Sequence, residues 1–174
     1  LSDVKPIIKT STSLSNIPKT LIHNSSIFKT LYFDKNVLED IVDYVKKEKI
    51  DVVHFESSYT GYYIGDELKK MGVKQVLGTE NIEFRLYFDY AKSFKKPYVR
   101  PFISYQADRL KGEELGMVQR ADSVTTITQE ESDFLKVLTD VTPHIVANGI
   151  EPSTYSYKFD RSIKKNILFV GNFS

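Results

Sequence analysis

The chain has 174 residues, of which 41% are hydrophobic and 27% are charged, and its formal net charge is +1. A chain of this length holds one ordinary domain, alone or with a fragment of a second one. The small net charge argues against a dedicated nucleic-acid binder, because no basic excess attracts phosphates. Cysteine is absent, which excludes disulfides, thiolate nucleophiles and zinc–cysteine sites and fits a reducing compartment.

The sequence carries no pattern typical of a metal site or a membrane span. Its three histidines, His23, His54 and His144, lie far apart and lack the spacing of metal ligands. No apolar run approaches the ~18–20 residues that a spanning helix needs. The chain begins with Leu1 and not with Met, so we expect it to be a piece of a longer protein.

The first half of the chain alternates predicted helices and strands. Residues 1–34 form a poorly defined lead-in, with an irregular helix predicted over residues 21–32. Asp34 is the predicted N-cap of a helix that runs to about residue 49, with apolar residues three and four apart. A strand over 51–56, a helix over 59–71 ended by Gly72, and a strand over 74–79 follow. This order predicts an α/β protein with a parallel sheet.

The second half continues the same alternation. A helix is predicted over residues 84–90, an interruption with two prolines over 93–102, and a long helix over 102–120. After a strand over 122–128, Thr128 and Glu131 form a capping box that begins a helix ending near residue 138. Short strands are predicted over 143–147 and 165–171. We expect domain boundaries at 35–150 for the main domain, 151–164 for a linker and 165–174 for the first strand of a second domain.

The stretch 76–84 is the predicted floor of a site. A short apolar run ends in Gly78 and Thr79, and Glu80, Asn81 and Glu83 follow directly. In open α/β sheets, ligands bind outside the carboxyl ends of the strands, which is where these polar residues fall. The alternative is that they cap the next helix and face water. His54, in the middle of the strand over 51–56, is predicted to be a buried core histidine.

Basic and aromatic residues are interleaved over residues 85–111. This composition suits an anionic membrane interface, and the residues predicted to face it are Lys95, Lys96, Tyr98 and Arg100. The alternative is a solvated helix whose aromatic side chains lie in the core. Single-stranded nucleic acid, bound by stacking and charge, is a third possibility.

Four segments together resemble a known family. They are DVVHFE at residues 51–56, TENIEF at 79–84, ADSVTTITQEE at 121–131, and NGIE at 148–151 followed by ILFVG at 167–171. Their order and spacing resemble the N-terminal domain of GT-B fold glycosyltransferases of family 4, also called glycosyl transferases group 1.

The resemblance implies a Rossmann-like, three-layer domain, the acceptor-side half of a two-domain GT-B enzyme. The chain would be truncated at both ends, because the family begins with a further strand and a Gly-rich loop and ends with a donor domain. The implied activity is that of a retaining hexosyltransferase, which transfers a sugar from a nucleotide-sugar to a glycan or lipid-linked acceptor. This chain would be inactive alone.

The resemblance also implies the setting of the enzyme. No cofactor is expected, because the nucleotide-sugar is a substrate. The expected location is the cytoplasm, peripherally at the inner face of the membrane. Apart from the resemblance, the sheet edge left exposed by the missing strands invites self-pairing, which would give a homodimer.

The resemblance assigns roles to residues at the predicted cleft. Glu80 falls where the family has a histidine, and it is the predicted catalytic residue, orienting sugar hydroxyls or acting as a base. A carboxylate cannot copy a neutral imidazole, and the alternative is that Glu80 caps the next helix. The predicted acceptor-binding residues are Asn81, Glu83, Ser57, Ser58 and Tyr59. The predicted donor-binding residues are Gly171 and Asn172, and no metal ligand is predicted.

Two other classes of function compete with a transferase. One is a non-catalytic module that binds sugars or nucleotides. The other is a scaffold domain that docks at membranes through residues 85–111.

Overall fold

The computed structural model describes Thr20 and residues 24–154. Six helices are described: α1 (Ile27–Tyr32), α2 (Lys35–Glu48), α3 (Asp66–Lys70), α4 (Glu83–Ser93), α5 (Arg100–Arg120) and α6 (Gln129–Thr139). Four strands are described: β1 (Val52–Glu56), β2 (Lys74–Thr79), β3 (Ser123–Thr126) and β4 (His144–Ile145). The predicted strand over 165–171, with Gly171 and Asn172, lies outside the described residues.

The four strands form one parallel sheet in the order β1-β2-β3-β4. Phe55 pairs with Leu77, and Leu77 pairs with Val124, so the apolar residues of three strands lie in one row. The protein is therefore α/β with a parallel sheet, as the alternation of predicted elements indicates.

The two faces of the sheet differ in burial. Phe55, Leu77 and Val124 point to one face and join the core formed with helix residues such as Leu110 and Leu135. On the opposite face Val52, His54 and Glu56 are exposed, and Val76, Ser123 and Thr125 are half-buried. The described helices thus cover one face, and the predicted third layer is not found in the described part of the chain.

The prediction that His54 is a core residue is wrong. Its side chain is 52% exposed, and its Nε2 atom lies 3.3 Å from Oε2 of Glu56. Side chains alternate between the two faces of a strand, and the residues flanking His54, Val53 and Phe55, point to the covered face. The expectation assumed a strand buried on both faces, which is the rule for fully covered parallel sheets.

Two predicted helix N-caps are confirmed. The Asp34 side chain accepts a hydrogen bond from the Asn36 amide at 2.8 Å and begins α2. The Thr128 hydroxyl oxygen accepts from the Glu131 amide at 3.2 Å and begins α6. Both side chains satisfy amides that lack a partner in the first helical turn.

The prediction of one helix over 59–71 is wrong. The chain forms a 3-10 turn at Gly61–Tyr63, becomes extended at Gly65, and then forms the short helix α3. The buried side chain of Gln75 explains the break, because its Oε1 accepts from the Gly65 amide at 2.8 Å and its Nε2 donates to the Gly65 carbonyl at 3.0 Å. Gly61 also packs closely, since a Cβ there would lie 2.8 Å from Sδ of Met117.

Helix α5 is the longest described helix and lies against α4. Pro97 begins the 3-10 turn Pro97–Val99 that separates the two helices, whereas Pro101 lies in the first turn of α5, where a missing amide costs no intrahelical hydrogen bond. The predicted interruption over 93–102 is therefore shorter than expected, because α5 already begins at Arg100. Leu110, Met117 and Val118 of α5 are almost fully buried. Among the described helices, none is both long and apolar enough to cross a membrane.

Candidate functional site

The carboxyl ends of β1 and β2 bring two predicted segments together. The Ser57 amide donates to the Gly78 carbonyl at 2.8 Å, so the loop after β1 lies beside the end of β2. Ser57 has a positive φ of 68°, an uncommon conformation for a residue with a side chain. Its hydroxyl accepts from the Tyr59 amide at 3.2 Å, which supports this sharp turn. We call the region formed by residues 57–60 and 80–84 the carboxyl-edge site.

Ser58 points into the protein and not toward a ligand. Its side chain is buried, and its hydroxyl donates a short hydrogen bond to the Glu114 carboxylate. At 2% exposure, Ser58 offers almost no surface for the predicted contact with an acceptor. Sequence reasoning placed Ser58 at the correct edge of the sheet but could not identify its partner, which lies 56 residues away.

Tyr59 and Glu83 form a hydrogen-bonded pair across the site. The Tyr59 hydroxyl donates to Oε2 of Glu83 at 3.0 Å. Burial, and then the nearby Glu83 carboxylate, raise the pKa of Tyr59 above its ordinary value, which favours the protonated phenol that donates to Glu83. The Tyr59 ring also packs on Tyr32, with ring centroids 4.5 Å apart. Two of the predicted acceptor-binding residues are therefore in contact.

Glu114 of α5 is a functional candidate that sequence reasoning missed. It is 4% exposed, and its carboxylate accepts from the Glu83 amide at 3.1 Å and from the Phe84 amide at 2.9 Å. Burial raises the pKa of Glu114 above its ordinary value, although its hydrogen bonds oppose that shift. One signal was present in the sequence, because Glu114 falls on the same helical stripe as the buried residues Leu110 and Met117.

Glu80 and Asn81 are exposed, and their side chains form no hydrogen bond with the described part of the chain. The alternative that Glu80 caps the next helix is wrong. The N-cap of α4 is Ile82, which makes no side-chain capping bond, and Glu114 accepts from the first amides of that helix instead. Both polar groups are therefore free to contact a ligand at the carboxyl edge.

An apolar groove of about 560 Å³ adjoins the site beside β1. Aromatic and aliphatic side chains from α1, α2, β1 and the following loop dominate its lining. They are Tyr32, Val37, Ile41, Val53, Phe55, Tyr59 and Tyr63. Because Tyr59 belongs to both the groove and the carboxyl-edge site, a ligand with an apolar portion could contact both.

The predicted membrane-facing residues lie at the other end of α4. Lys95, Lys96, Tyr98 and Arg100 are all exposed, and 76% of Tyr98 is accessible. Helix α4 has 11 residues. At a rise of about 1.5 Å per residue, the far end of α4, which these four residues follow, lies roughly 15 Å along the helix axis from Glu83.

The aromatic residues of this region divide into buried and exposed sets. Phe84 is buried against Phe134, with ring centroids 6.1 Å apart. Tyr90 is 51% exposed and Tyr98 is 76% exposed. The core alternative is thus correct for Phe84, while Tyr90 and Tyr98 are exposed, as are Lys95 and Lys96.

Searches for relatives and for metal-binding groups found nothing that assigns a function. No family model matches the chain, and no curated protein matches it. Within residues 24–154, no group of three or more His, Asp or Glu side chains could hold a metal ion. The candidate site therefore consists of the hydrogen-bonded segments 57–60 and 80–84, the exposed side chains of Glu80 and Asn81, and the apolar groove beside β1.

Proposed function

We propose that this chain is the acceptor-side domain of a retaining GT-B type glycosyltransferase that transfers a sugar from a nucleotide-sugar to a glycan or lipid-linked acceptor. One observation carries the proposal. The carboxyl edge of the parallel sheet brings the TENIEF segment beside the loop of residues 57–60 and leaves Glu80 and Asn81 exposed and unbonded to described residues. Open α/β sheets bind ligands at this edge.

The proposed roles follow from the chemistry of the exposed groups. Glu80 is the proposed catalytic residue, because a carboxylate can orient sugar hydroxyls or accept a proton from an acceptor. Asn81 and the Tyr59–Glu83 pair supply donors and acceptors for acceptor hydroxyls. The apolar groove beside Tyr59 suits the apolar part of a lipid-linked acceptor.

A Rossmann-like domain of this kind forms one wall of a cleft. The proposed other wall is a nucleotide-sugar domain, and the donor-binding residues that the resemblance implies, Gly171 and Asn172, lie outside the described residues. The proposed transfer requires both walls of this cleft.

The first experiment screens nucleotide-sugars against the longer protein that contains both domains. Thermal shift detects donor binding, and the 174-residue chain should show none. Donor-dependent sugar transfer to an acceptor is then measured for the unmutated protein and for Glu80→Gln. If Glu80 acts as a base, Glu80→Gln lowers the transfer rate by about 10²–10⁴-fold.

The control variant is Glu67→Gln, an exposed carboxylate in α3 that should leave transfer unchanged. Unchanged transfer in Glu80→Gln would remove the catalytic role of Glu80. If the unmutated two-domain protein transfers no sugar from any nucleotide-sugar, the proposal fails, and a non-catalytic binding module is favoured.

A second candidate function, docking at an anionic membrane, is favoured by the exposed tyrosines and cations at the end of α4. Exposed aromatic rings suit the membrane interface, and each Lys or Arg near an anionic surface contributes about 1 kcal/mol. Docking is compatible with the transferase, since a lipid-linked acceptor lies in that surface. It is also compatible with a scaffold that has no activity.

Co-sedimentation with vesicles containing phosphatidylserine tests this docking. Binding is expected at low salt and should weaken at high salt. The double variant Lys95→Ala/Lys96→Ala should weaken it about 30-fold, equivalent to about 2 kcal/mol. The matched control is Lys69→Ala/Lys70→Ala, two exposed lysines of α3. No binding of the unmutated chain at low salt would contradict membrane docking.

A further inference from the structure

Glu114 connects the two chain segments that form the carboxyl-edge site. Its carboxylate accepts from the Ser58 hydroxyl in the loop after β1. It also accepts from the amides of Glu83 and Phe84, which begin α4 after β2. One buried side chain on a third element therefore holds the ends of two neighbouring strands together.

The hydrogen bonds from the Glu83 and Phe84 amides to Glu114 supply acceptors that the residues next to these amides do not provide. The first amides of a helix have no intrahelical acceptor, and Ile82 at the N-cap has no polar side chain to offer one. A carboxylate at this position also interacts favourably with the positive end of the helix dipole. Glu114 supplies the missing acceptor from 30 and 31 residues away.

A second bond spans the same gap nearer the surface. The Tyr59 hydroxyl donates to the Glu83 side chain at 3.0 Å. Tyr59 is the residue after Ser58, and Glu83 is the residue before Phe84. The loop of residues 57–60 and the start of α4 are thus joined twice, once inside through Glu114 and once outside through Tyr59. The exposed pair Glu80 and Asn81 lies just before the helix that these bonds hold.

We propose that Glu114 is a positioning residue that holds the loop of residues 57–60 against the first turn of α4 and so sets the geometry of the carboxyl-edge site. Because Glu114 is only 4% exposed, it acts through the two segments that it holds. Its assignment to the acceptor site of a transferase rests on the proposed function, whereas the joining of the two segments does not.

The neighbouring carboxylate provides a matched control. Glu113 is also hydrogen-bonded, but its oxygens accept from the Ser26 amide at 2.8 Å and from the Tyr62 hydroxyl at 2.7 Å. These partners are Ser26, in the chain before α1, and Tyr62, in the 3-10 turn that follows residues 57–60, and neither is Glu83 or Phe84. Glu113→Ala therefore removes a bonded carboxylate from the same helix without removing these contacts to the site.

Amide hydrogen exchange of the 174-residue chain, read residue by residue by NMR, tests the proposal. In Glu114→Ala, exchange at Glu83 and Phe84 should accelerate by at least about tenfold. Exchange at Thr60 and Gly61, whose amides bond to Ser57, should accelerate as well. Glu114→Gln keeps one acceptor oxygen and should give a smaller change. Glu113→Ala should leave exchange at Glu83 and Phe84 unchanged, because it removes no contact to these two amides.

Two results would overturn the proposal. One is unchanged exchange at Glu83 and Phe84 in Glu114→Ala. The other is an equal acceleration in β2 and β3, because that shows global destabilisation and not local positioning. If Glu114→Ala does not fold, Ser58→Ala takes its place, and unchanged exchange at Thr60 and Gly61 in that variant would overturn the proposal.

Transfer kinetics of the two-domain protein separate this proposal from the proposed function. Glu114→Ala should raise KM for the acceptor at least about tenfold and leave KM for the donor unchanged, with partial recovery in Glu114→Gln. Equal changes in both KM values would contradict a positioning role at the acceptor side. If no nucleotide-sugar supports transfer, the proposed function fails, and the exchange experiment still decides the role of Glu114.

Discussion

Two buried polar side chains, Gln75 in β2 and Glu114 in α5, form hydrogen bonds with main-chain groups of other segments and hold those segments in place. Gln75 bonds both polar main-chain groups of Gly65, and Glu114 bonds the first two amides of α4. Leaving such a group unpaired after burial costs about 1–3 kcal/mol, which favours the arrangement that satisfies all of them. Gly65 and the first turn of α4 are therefore each held by a single polar side chain that is buried in the core.

Asp122 plays a comparable part at the opposite end of the strands. Its carboxylate accepts from the Gln75 amide at 2.9 Å and from Nζ of Lys74 at 3.1 Å. The bond from the Gln75 amide, and then that from Lys74, hold the pKa of Asp122 below its ordinary value. Stability from this carboxylate is present above the unfolded pKa of about 3.8 and is lost as the pH falls through the lower folded pKa.

Asp122→Asn should therefore be less stable than the unmutated chain near neutral pH, and the difference should shrink below about pH 4. Urea unfolding at a series of pH values from 7 down to about 2.5 measures it. Asp40→Asn, which changes an exposed carboxylate of α2, is the control and should show little difference throughout. A difference between Asp122→Asn and the unmutated chain that stays constant over this range would contradict the assignment.

At the scale of elements, the helix starts that depend on local chemistry were predictable. Asp34 and Thr128 cap α2 and α6 with their own side chains. The predicted start of α4 is correct to within one residue. The group that accepts from its first amides, the Glu114 carboxylate, could not be predicted, because it comes from α5. The helix predicted over 59–71 failed for a similar reason, since Gln75 of β2 holds Gly65 in an extended conformation.

The cap at Thr128 gives a prediction for one element. Thr128→Ala removes the acceptor for the Glu131 amide and should lower the free energy of unfolding by about 1 kcal/mol, within a range of about 0.5–2. Thr128→Ser keeps the hydroxyl and should retain most of the stability. Thermal and urea unfolding of the three proteins measure the effect, and equal losses in the Ala and Ser variants would show that the hydroxyl is not the cause.

At the scale of the whole molecule, the described sheet has two outer edges, β1 and the two-residue strand β4, and β1 is the longer of the two. Among the described strands, β1 pairs with β2 alone, and Val52 at its start is 53% exposed. Unpaired edges template association with other strands, and lysine on an edge opposes it. The predicted homodimer thus has a specific candidate surface, which is the outer edge of β1.

Val52→Lys should weaken self-association of the 174-residue chain by at least about tenfold if β1 is the contact. Sedimentation equilibrium over a range of protein concentrations measures the dimer constant. Val137→Lys, at an 83% exposed position of α6, is the control and should leave association unchanged. Monomers at all concentrations in the unmutated chain would contradict the homodimer, and equal weakening by both variants would contradict the β1 edge.

The sequence by itself determined the α/β class, the parallel sheet, most element positions and two helix caps, because these follow from hydrophobic periodicity and from contacts within a few residues. It also placed the candidate site at the carboxyl ends of β1 and β2. The tertiary structure alone decided that His54 faces outward, that residues 59–71 break at Gly65, and that Glu114 joins the two loops of the site. Each of these depends on partners distant in the chain, 10 residues for Gly65 and Gln75 and up to 56 for Ser58 and Glu114, and no local pattern encodes such contacts.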